Sequence, residues 1–312
     1  MNRNNCINCL YILLATVALA TASCSKVEPT GVLIGHTSVD DRVKQSVTYQ
    51  KDWERDNNND IDVASPGYTF IVGSDSHLRN DQTRLRELFD EAVAKEDLLV
   101  AHCGDLAETQ PEYYQITEDM VDDYRERYKG DEEDIGKYKF RFYPVVGNHD
   151  VTRNGWALFT KIFGSSTYTF DVVYHEGESD EVRDAFLFLD SANGTFGEYQ
   201  IDLIDLGLLL DFFSYRNIFV FTHTNFFRPR KNAFSSVLPR EELYFIFKKF
   251  HDWGVRCVFC GHIHAWDERD YAGVHYITLD AMSLEERPDY GDVIRCRVAA
   301  DGNVTYEHVH LK

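Results

Sequence analysis

The sequence is short of basic residues, short of cysteine and nearly without long apolar runs. Lys and Arg number 32 against 52 Asp and Glu, a formal net charge of −20. A surface of that sign repels polynucleotides and anionic membranes, so nucleic acid is disfavoured as a partner. A small anionic substrate is less affected, because bound dications dominate the potential inside their own site. Seven cysteines in 312 residues do not make a disulfide scaffold. Cys257 and Cys260 form a CxxC pair, but within the apolar run 255–260, which reads as a buried strand. Residues three apart on a strand point to opposite faces, so buried free thiols are expected there. There is no internal repeat. The remainder, 44% hydrophobic and 14% aromatic, has the composition of a folded globular chain.

The run from Leu10 to Ala22 follows a weakly basic start at Arg3 and is too short to cross a bilayer as a permanent helix. It ends in Thr21-Ala22-Ser23-Cys24, which resembles the cleavage box of bacterial lipoproteins. On that resemblance residues 1–23 are a signal peptide. The mature chain is then exported and anchored to a membrane of the bacterial cell envelope (periplasm or outer membrane) through lipid on Cys24. An ordinary secretory signal cleaved nearby is the alternative. Residues 24–66 read as a spacer with one short accessory helix. Ser38-Val39-Asp40-Asp41 fits a capping box, and Val39, Val43 and Val47 recur at four-residue intervals behind it. Asn57-Asn58-Asn59-Asp60 and Ser65-Pro66-Gly67 are turn signals, and the main domain is set at 67–312.

From Tyr68 onward short apolar strands alternate with helical stretches. Strands are expected at 68–73, 98–103, 142–146, 185–190, 217–222, 255–260, 274–279, 292–298 and near 303–310. Helices are expected at 81–96, 155–163, 199–215 and 240–253; in the first, Leu85, Leu88, Phe89, Ala92 and Val93 make one apolar stripe. The alternation predicts a layered α/β domain, with a more antiparallel sheet in the C-terminal third. Residues 108–139 form an acidic insertion of weak periodicity, expected as a solvated helical excursion, with a lid over the site as the alternative.

Five polar clusters fall where apolar strands end. They are Gly73-Ser74-Asp75-Ser76-His77, Gly104-Asp105, Gly147-Asn148-His149-Asp150, Thr222-His223 and Gly261-His262-Ile263-His264. Ligands of open α/β sheets bind beyond the carboxyl ends of strands, so five such clusters can converge on one crevice. Asp75, His77, Asp105, Asn148, His223, His262 and His264 offer carboxylate, amide oxygen and imidazole, a set that suits Mn, Fe or Zn better than Ca or Mg. Taken singly each cluster is a common turn. In this order and type the five resemble the calcineurin-like metallophosphoesterase superfamily over residues 68–279.

The resemblance implies an α/β fold of two packed mixed β-sheets flanked by helices, a four-layer sandwich. It implies two divalent or trivalent metal ions (Mn, Fe or Zn). One would be held by Asp75, His77, Asp105 and His264, the other by Asp105, Asn148, His223 and His262, with Asp105 bridging. His149 is implied to be catalytic, contacting the phosphate and protonating the leaving oxygen, with Asp150 orienting it through a hydrogen bond. The implied reaction is hydrolysis of a mono- or diester in a small phosphorylated substrate, attacked by hydroxide shared between the metals. Monoesterase, diesterase and nucleotidase stay open. Cys103 stands where the family often has a second glycine, and Thr224-Asn225 lacks a proline often seen there. From the residues alone, Arg228 and Arg230 in the basic run 228–231 would hold a second anionic group at the rim, or else belong to an ordinary exposed loop. The rival to an enzyme is a lipid-anchored metal- or ligand-binding module whose phosphoesterase-like site is inactive.

Overall fold

The computed structural model describes residues 37–56, 60–130, 138–176, 180–210, 214–229 and 231–312. The expected signal segment with Cys24, the 131–137 part of the acidic insertion, and Arg230 lie outside the described residues.

Two mixed sheets are stacked on each other. The first runs in the order β1 (Ile61–Asp62), β5 (Tyr168–Glu176), β6 (Asp180–Phe188), β7 (Asn217–Phe221), β8 (Cys257–Cys260), β10 (Val274–Thr278) and β9 (Asp267–Tyr271). The second runs β12 (Val304–Leu311), β11 (Gly291–Val298), β2 (Tyr68–Gly73), β3 (Val100–His102) and β4 (Phe142–Pro144). The pairing is parallel for β6 with β7 and β7 with β8 at the centre of the first sheet, and for β2 with β3 and β3 with the edge strand β4 in the second. The inner faces meet in a core built from Phe70, Val72 and Ala101 on one side and Phe186, Phe219, Phe221 and Phe259 on the other.

Helices cover both outer faces. Over the seven-stranded sheet lie α1 (Val39–Asp56), α6 (Glu198–Asp205) and α7 (Arg240–Trp253), burying Val43, Ile204 and Phe250 among others. Over the five-stranded sheet lie α2 (Thr83–Lys95), α3 (Pro111–Arg127) and α5 (Gly155–Phe163), burying Leu88, Val121 and Phe159. The result is the expected four-layer α/β sandwich. Cys257 falls in the inner core and Cys260 in an outer one, as strand alternation requires, and both thiols are free and buried. Among the described residues no helix is long and apolar enough to cross a membrane.

Four features differ from the sequence expectation. The stretch read as spacer and accessory helix is built into the sandwich from α1 onward. Val39 and Val43 join the outer core, and Ile61 pairs with Val172 to make β1 the edge strand. The acidic insertion is not a solvated excursion, because α3 buries Tyr114, Thr117, Met120, Val121 and Tyr124. Its buried face carries two tyrosines and a threonine, so the hydropathy signal is faint although the spacing is helical. The helix expected at 199–215 stops at Asp205, with Gly207 at φ 67° just beyond. Finally β5 and β9 are strands the sequence reading did not expect: β5 has its apolar residues broken by Asp171, and β9, Asp-Glu-Arg-Asp-Tyr, is an edge strand with no buried position.

Candidate metal centre

All five polar clusters sit at the carboxyl ends of parallel strands: Asp75 and His77 after β2, Asp105 after β3, Asn148 after β4, His223 after β7, and His262 and His264 after β8. The turns are tight. Among the described residues eight non-glycine positions have positive φ, and five of them are Asp75 (52°), His77 (45°), Asp105 (53°), His262 (78°) and His264 (48°). A left-handed backbone costs a residue with a Cβ about 1–2 kcal/mol, so strain is concentrated where the donors are aimed inward. Glycine is needed where these loops touch. A Cβ on Gly147 would overlap the Asp105 backbone and carboxylate, and one on Gly261 would overlap Ser74 and Asp75.

Seven donors converge. Asp75, His77, Asp105 and His264 present atoms that all lie within 4.8 Å of one another. His77 Nε2 is 3.2 Å from His264 Nε2, and His264 Nε2 is 3.2 Å from Asp75 Oδ1. Asp105 Oδ2 is 3.8 Å from His77 Nε2 and 3.5 Å from His223 Nε2, so one carboxylate oxygen stands between two halves of the cluster. In the second half Asn148 Oδ1 is 2.8 Å from His223 Nε2 and 2.9 Å from His262 Nδ1.

Hydrogen bonds behind the rings settle which nitrogens face inward. His223 Nδ1 donates to the Cys103 carbonyl at 2.8 Å, which leaves its Nε2 lone pair pointing at Asn148 and Asp105. His264 Nδ1 is 2.8 Å from Glu286 Oε2, and His77 Nδ1 is 3.2 Å from Glu108 Oε1. With those protons donated outward, the two Nε2 lone pairs face each other across 3.2 Å beside two buried carboxylates. Lone pairs in such contact call for a cation between them, and carboxylates or carbonyls behind metal-binding imidazoles are the usual support. The donor set therefore fits metal ions.

Charge follows the same logic. Where protons rather than cations occupy the rings, burial would raise Asp75, but hydrogen bonding and charge from His264, with His223 and His77, hold its carboxyl well below the usual range. Burial likewise opposes ionisation of Asp105, and His223, His149 and His77 outweigh it and lower the pKa. Burial pushes His262 down to about 4, keeping the ring neutral with one nitrogen lone pair free.

His149 sits beside the cluster, its backbone N–H donating to Asp105 Oδ1 at 2.7 Å and its Nδ1 lying 3.2 Å from Glu108 Oε2. Burial lowers its pKa, but the Asp105 and Glu108 carboxylates outweigh burial and raise it to about 9. The expected bond from Asp150 is absent. Asp150 instead accepts from the backbone N–H of Gly147 (2.8 Å), Leu106 (3.2 Å) and Ala107 (3.3 Å) and from the Tyr114 hydroxyl (2.7 Å). Neighbours on a helical turn such as α4 (Asn148–Val151) do not face each other, so Asp150 cannot serve the adjacent ring. Glu108 takes that place, shared between His77 and His149. Burial first, then the Asp105 charge, push Asp150 up to about 6, while Tyr114 and the amides of Gly147 and Leu106 hold it down.

Arg228 is exposed; its amide donates to Ala233 O and its carbonyl accepts from Arg269. No hydrogen bond or ion pair among the described residues ties it to the seven donors.

His102, at the end of β3, is fully buried and neither ring nitrogen has a partner. Burial, opposed by Asp75 and Asp105, pushes its pKa down to about 3. The unfolded chain binds this proton below about pH 6.5 and the folded chain does not until about pH 3. The stabilisation is therefore complete above pH 6.5 and is lost as pH falls toward 3. We expect stability to drop by roughly 2–3 kcal/mol between pH 7 and 4.5 from this group. Urea unfolding in chelator checks this, with His102→Leu expected to flatten the acid limb; an equally steep limb in that variant would reassign the loss.

The family model for calcineurin-like phosphoesterases matches residues 68–266. No curated protein matches the sequence. Among solved structures the chain is similar to GAP50, described as the anchor in the inner membrane complex of Plasmodium, at 12% identity and TM-score 0.51, over 79% of this chain and 89% of that one. It is similar to a dimetal phosphatase from Danio rerio at 13% identity and TM-score 0.51, over 78% and 98%. It is also similar to a purple acid phosphatase from yellow lupin, Lupinus luteus, at 11% identity and TM-score 0.53, over 79% of this chain and 52% of that one. At such identities the likeness is one of fold. The matched stretch spans well over half of the sequence and contains all seven converging donors, and the chain belongs to the calcineurin-like phosphoesterase family.

Proposed function

We propose that the protein is a metal-dependent phosphoesterase that hydrolyses a mono- or diester in a small phosphorylated substrate. The observation that carries this is Asp105 Oδ2, 3.8 Å from His77 Nε2 and 3.5 Å from His223 Nε2, between rings whose Nδ1 atoms face the Glu108 carboxylate and the Cys103 carbonyl. Asp75, His77, Asp105 and His264 would hold one ion, and Asp105, Asn148, His223 and His262 the other. Such a pair supplies an activated water and offsets charge on the phosphoryl oxygens.

The protein's own groups then divide the remaining work. Glu108 fixes the His149 ring through Nδ1, so Nε2 is the atom left to donate to a leaving oxygen. The Glu108 carboxylate, 3.2 Å from Nδ1, favours the protonated ring and makes His149 the candidate proton donor. The carbonyl of Cys103 and the carboxylates of Glu108 and Glu286 hold three ligand rings in fixed tautomers. Placement in a bacterial cell envelope, anchored at Cys24, rests on the lipoprotein-like stretch Thr21-Ala22-Ser23-Cys24.

Purified protein supplied with Mn²⁺ is expected to hydrolyse an aryl phosphate monoester or diester, and a chelator to stop it. His149→Ala should lower kcat by about 10²–10⁴-fold while elemental analysis finds the metal content unchanged. Metal-loaded protein that turns over neither ester class would leave the binding-module reading in its place.

A further inference from the structure

Helix α1 lies outside the stretch that matches the family, yet it is tied to one half of the metal centre. Arg42 on α1 is fully buried. Its Nε and Nη2 donate to Asp190 Oδ2 and Oδ1 at 2.8 and 2.9 Å, and Nη2 also donates to Asn193 Oδ1 at 2.8 Å. Asp190 lies in the loop after β6, and the next residue, Ser191, is latched to the His223 turn. Ser191 Oγ accepts from the amides of His223 (3.2 Å) and Thr224 (2.8 Å) and lies 2.6 Å from Thr222 Oγ1. Thr224 Oγ1 donates back to Ser191 O at 2.6 Å. Every member of this chain, Arg42, Asp190, Ser191, Thr222, His223 and Thr224, is buried.

The same helix fixes the flanking loops. Ser46 Oγ accepts from the Ser166 amide at 2.7 Å, and Asp40 Oδ1 from the Tyr199 amide at 2.9 Å. The other half of the centre is supported separately: Met282 N donates to Ser74 O, Ser283 N donates to Asp75 O, and Glu286 backs His264. A buried ion pair adds little net stability over a well-packed apolar pair, so docking a helix does not by itself call for one. A planar, bidentate guanidinium does fix the direction of the carboxylate it holds.

We propose that Arg42 is a positioning residue for the metal held by Asn148, His223 and His262. By fixing Asp190 and Ser191, it sets the 222–224 turn and so the aim of His223 Nε2 at Asn148 and Asp105. The inference rests on the metal-centre reading and not on hydrolysis.

The test is titration of metal-free protein with Mn²⁺ at a temperature well below unfolding, read by calorimetry and by elemental analysis. Wild-type protein should take up two ions. Arg42→Met should weaken one of them by about 10–100-fold, the size expected for loss of support behind a ligand, and leave the other within twofold. Ser191→Ala, which deletes the latch without touching the ion pair, should give the same one-sided loss and covers the case in which Arg42→Met does not fold. Arg42→Lys keeps the charge but not the fork and should fall between. A lowered melting temperature with both affinities unchanged, or equal weakening of both ions, overturns the proposal. Wild-type protein that binds no Mn²⁺ overturns the metal-centre reading and this inference with it. Two ions bound without any hydrolysis would count against the esterase reading alone.

Discussion

Asp105→Asn is expected to lower kcat/KM for a phosphate ester by about 10³-fold or more and to cut metal binding to one ion or none. Asparagine preserves the shape, and its Oδ1 can still accept from the His149 amide, as Asp105 Oδ1 does at 2.7 Å. What it removes is the charge on Oδ2, the atom that faces both His77 and His223. Asp75 faces His264 and His77 with its charge and reaches the Asn148 half only through the His262 amide, which donates to it at 3.0 Å. Asp75→Asn should therefore weaken the Asn148 half less than Asp105→Asn does. The size follows from the electrostatics: losing one fixed contact to developing charge costs about 10²–10³ in rate, and a bridging carboxylate supports two such charges. A companion measurement separates chemistry from folding. Asp75 and Asp105 are fully or nearly fully buried close together, and Glu108 lies beside them. Without metal, burial and their mutual repulsion oppose ionisation of Asp105, but the imidazoles of His223, His149 and His77 outweigh both and keep it ionised. The variant should therefore lose some stability in chelator, and its urea midpoint separates this loss from the loss of activity. Two bound ions and activity within tenfold of wild type would show that Asp105 is no bridge.

The parallel strands were legible because a strand buried on both faces reads as an unbroken apolar run, and each of these runs ends in a polar cluster. That single regularity located Asp75, Asp105, Asn148, His223 and His262 on the correct strand ends. The supporting carboxylates were not legible, for different reasons. Glu108 had a signal in principle. Parallel pairing of β2 and β3 continues past their ends, Leu78 bridging Ala107, and this register brings Glu108 beside His77. Reading it requires knowing that the two strands are neighbours. Glu286 had none, lying in the charged stretch Glu285-Glu286-Arg287 well past β10. Sequence adjacency misled for Asp150, because its neighbour His149 points elsewhere on the turn. For residues 39–62 the capping box and the valine spacing made the helix legible, but the turn-rich stretch hid the edge strand β1 that joins the sandwich.

Asp150→Ala is expected to destabilise the fold by about 3–5 kcal/mol and to weaken both metal ions together. The carboxylate is fully buried and accepts from four donors on three segments: the loop after β3, the turn before α4, and α3 through Tyr114. Alanine leaves those donors without partners in a dry interior, at about 1–3 kcal/mol each when no water replaces the acceptor. The amides concerned lie next to Asp105 and Asn148, so their release moves a donor of each half. Asparagine should rescue little, since half of its carboxamide would present N–H groups to N–H groups. Tyr114→Phe, which deletes one donor and leaves the acceptor, should cost only about 1 kcal/mol. Urea midpoints in chelator, measured at pH 7 where Asp150 is ionised, give the ordering Asp150→Ala well below Tyr114→Phe, with His149→Ala near wild type. If Asp150 acted instead through the His149 ring, its loss would lower kcat with the urea midpoint unmoved. The hydrogen bonds point the other way: Asp150 holds the two central ligand loops against each other, and Glu108 holds the ring.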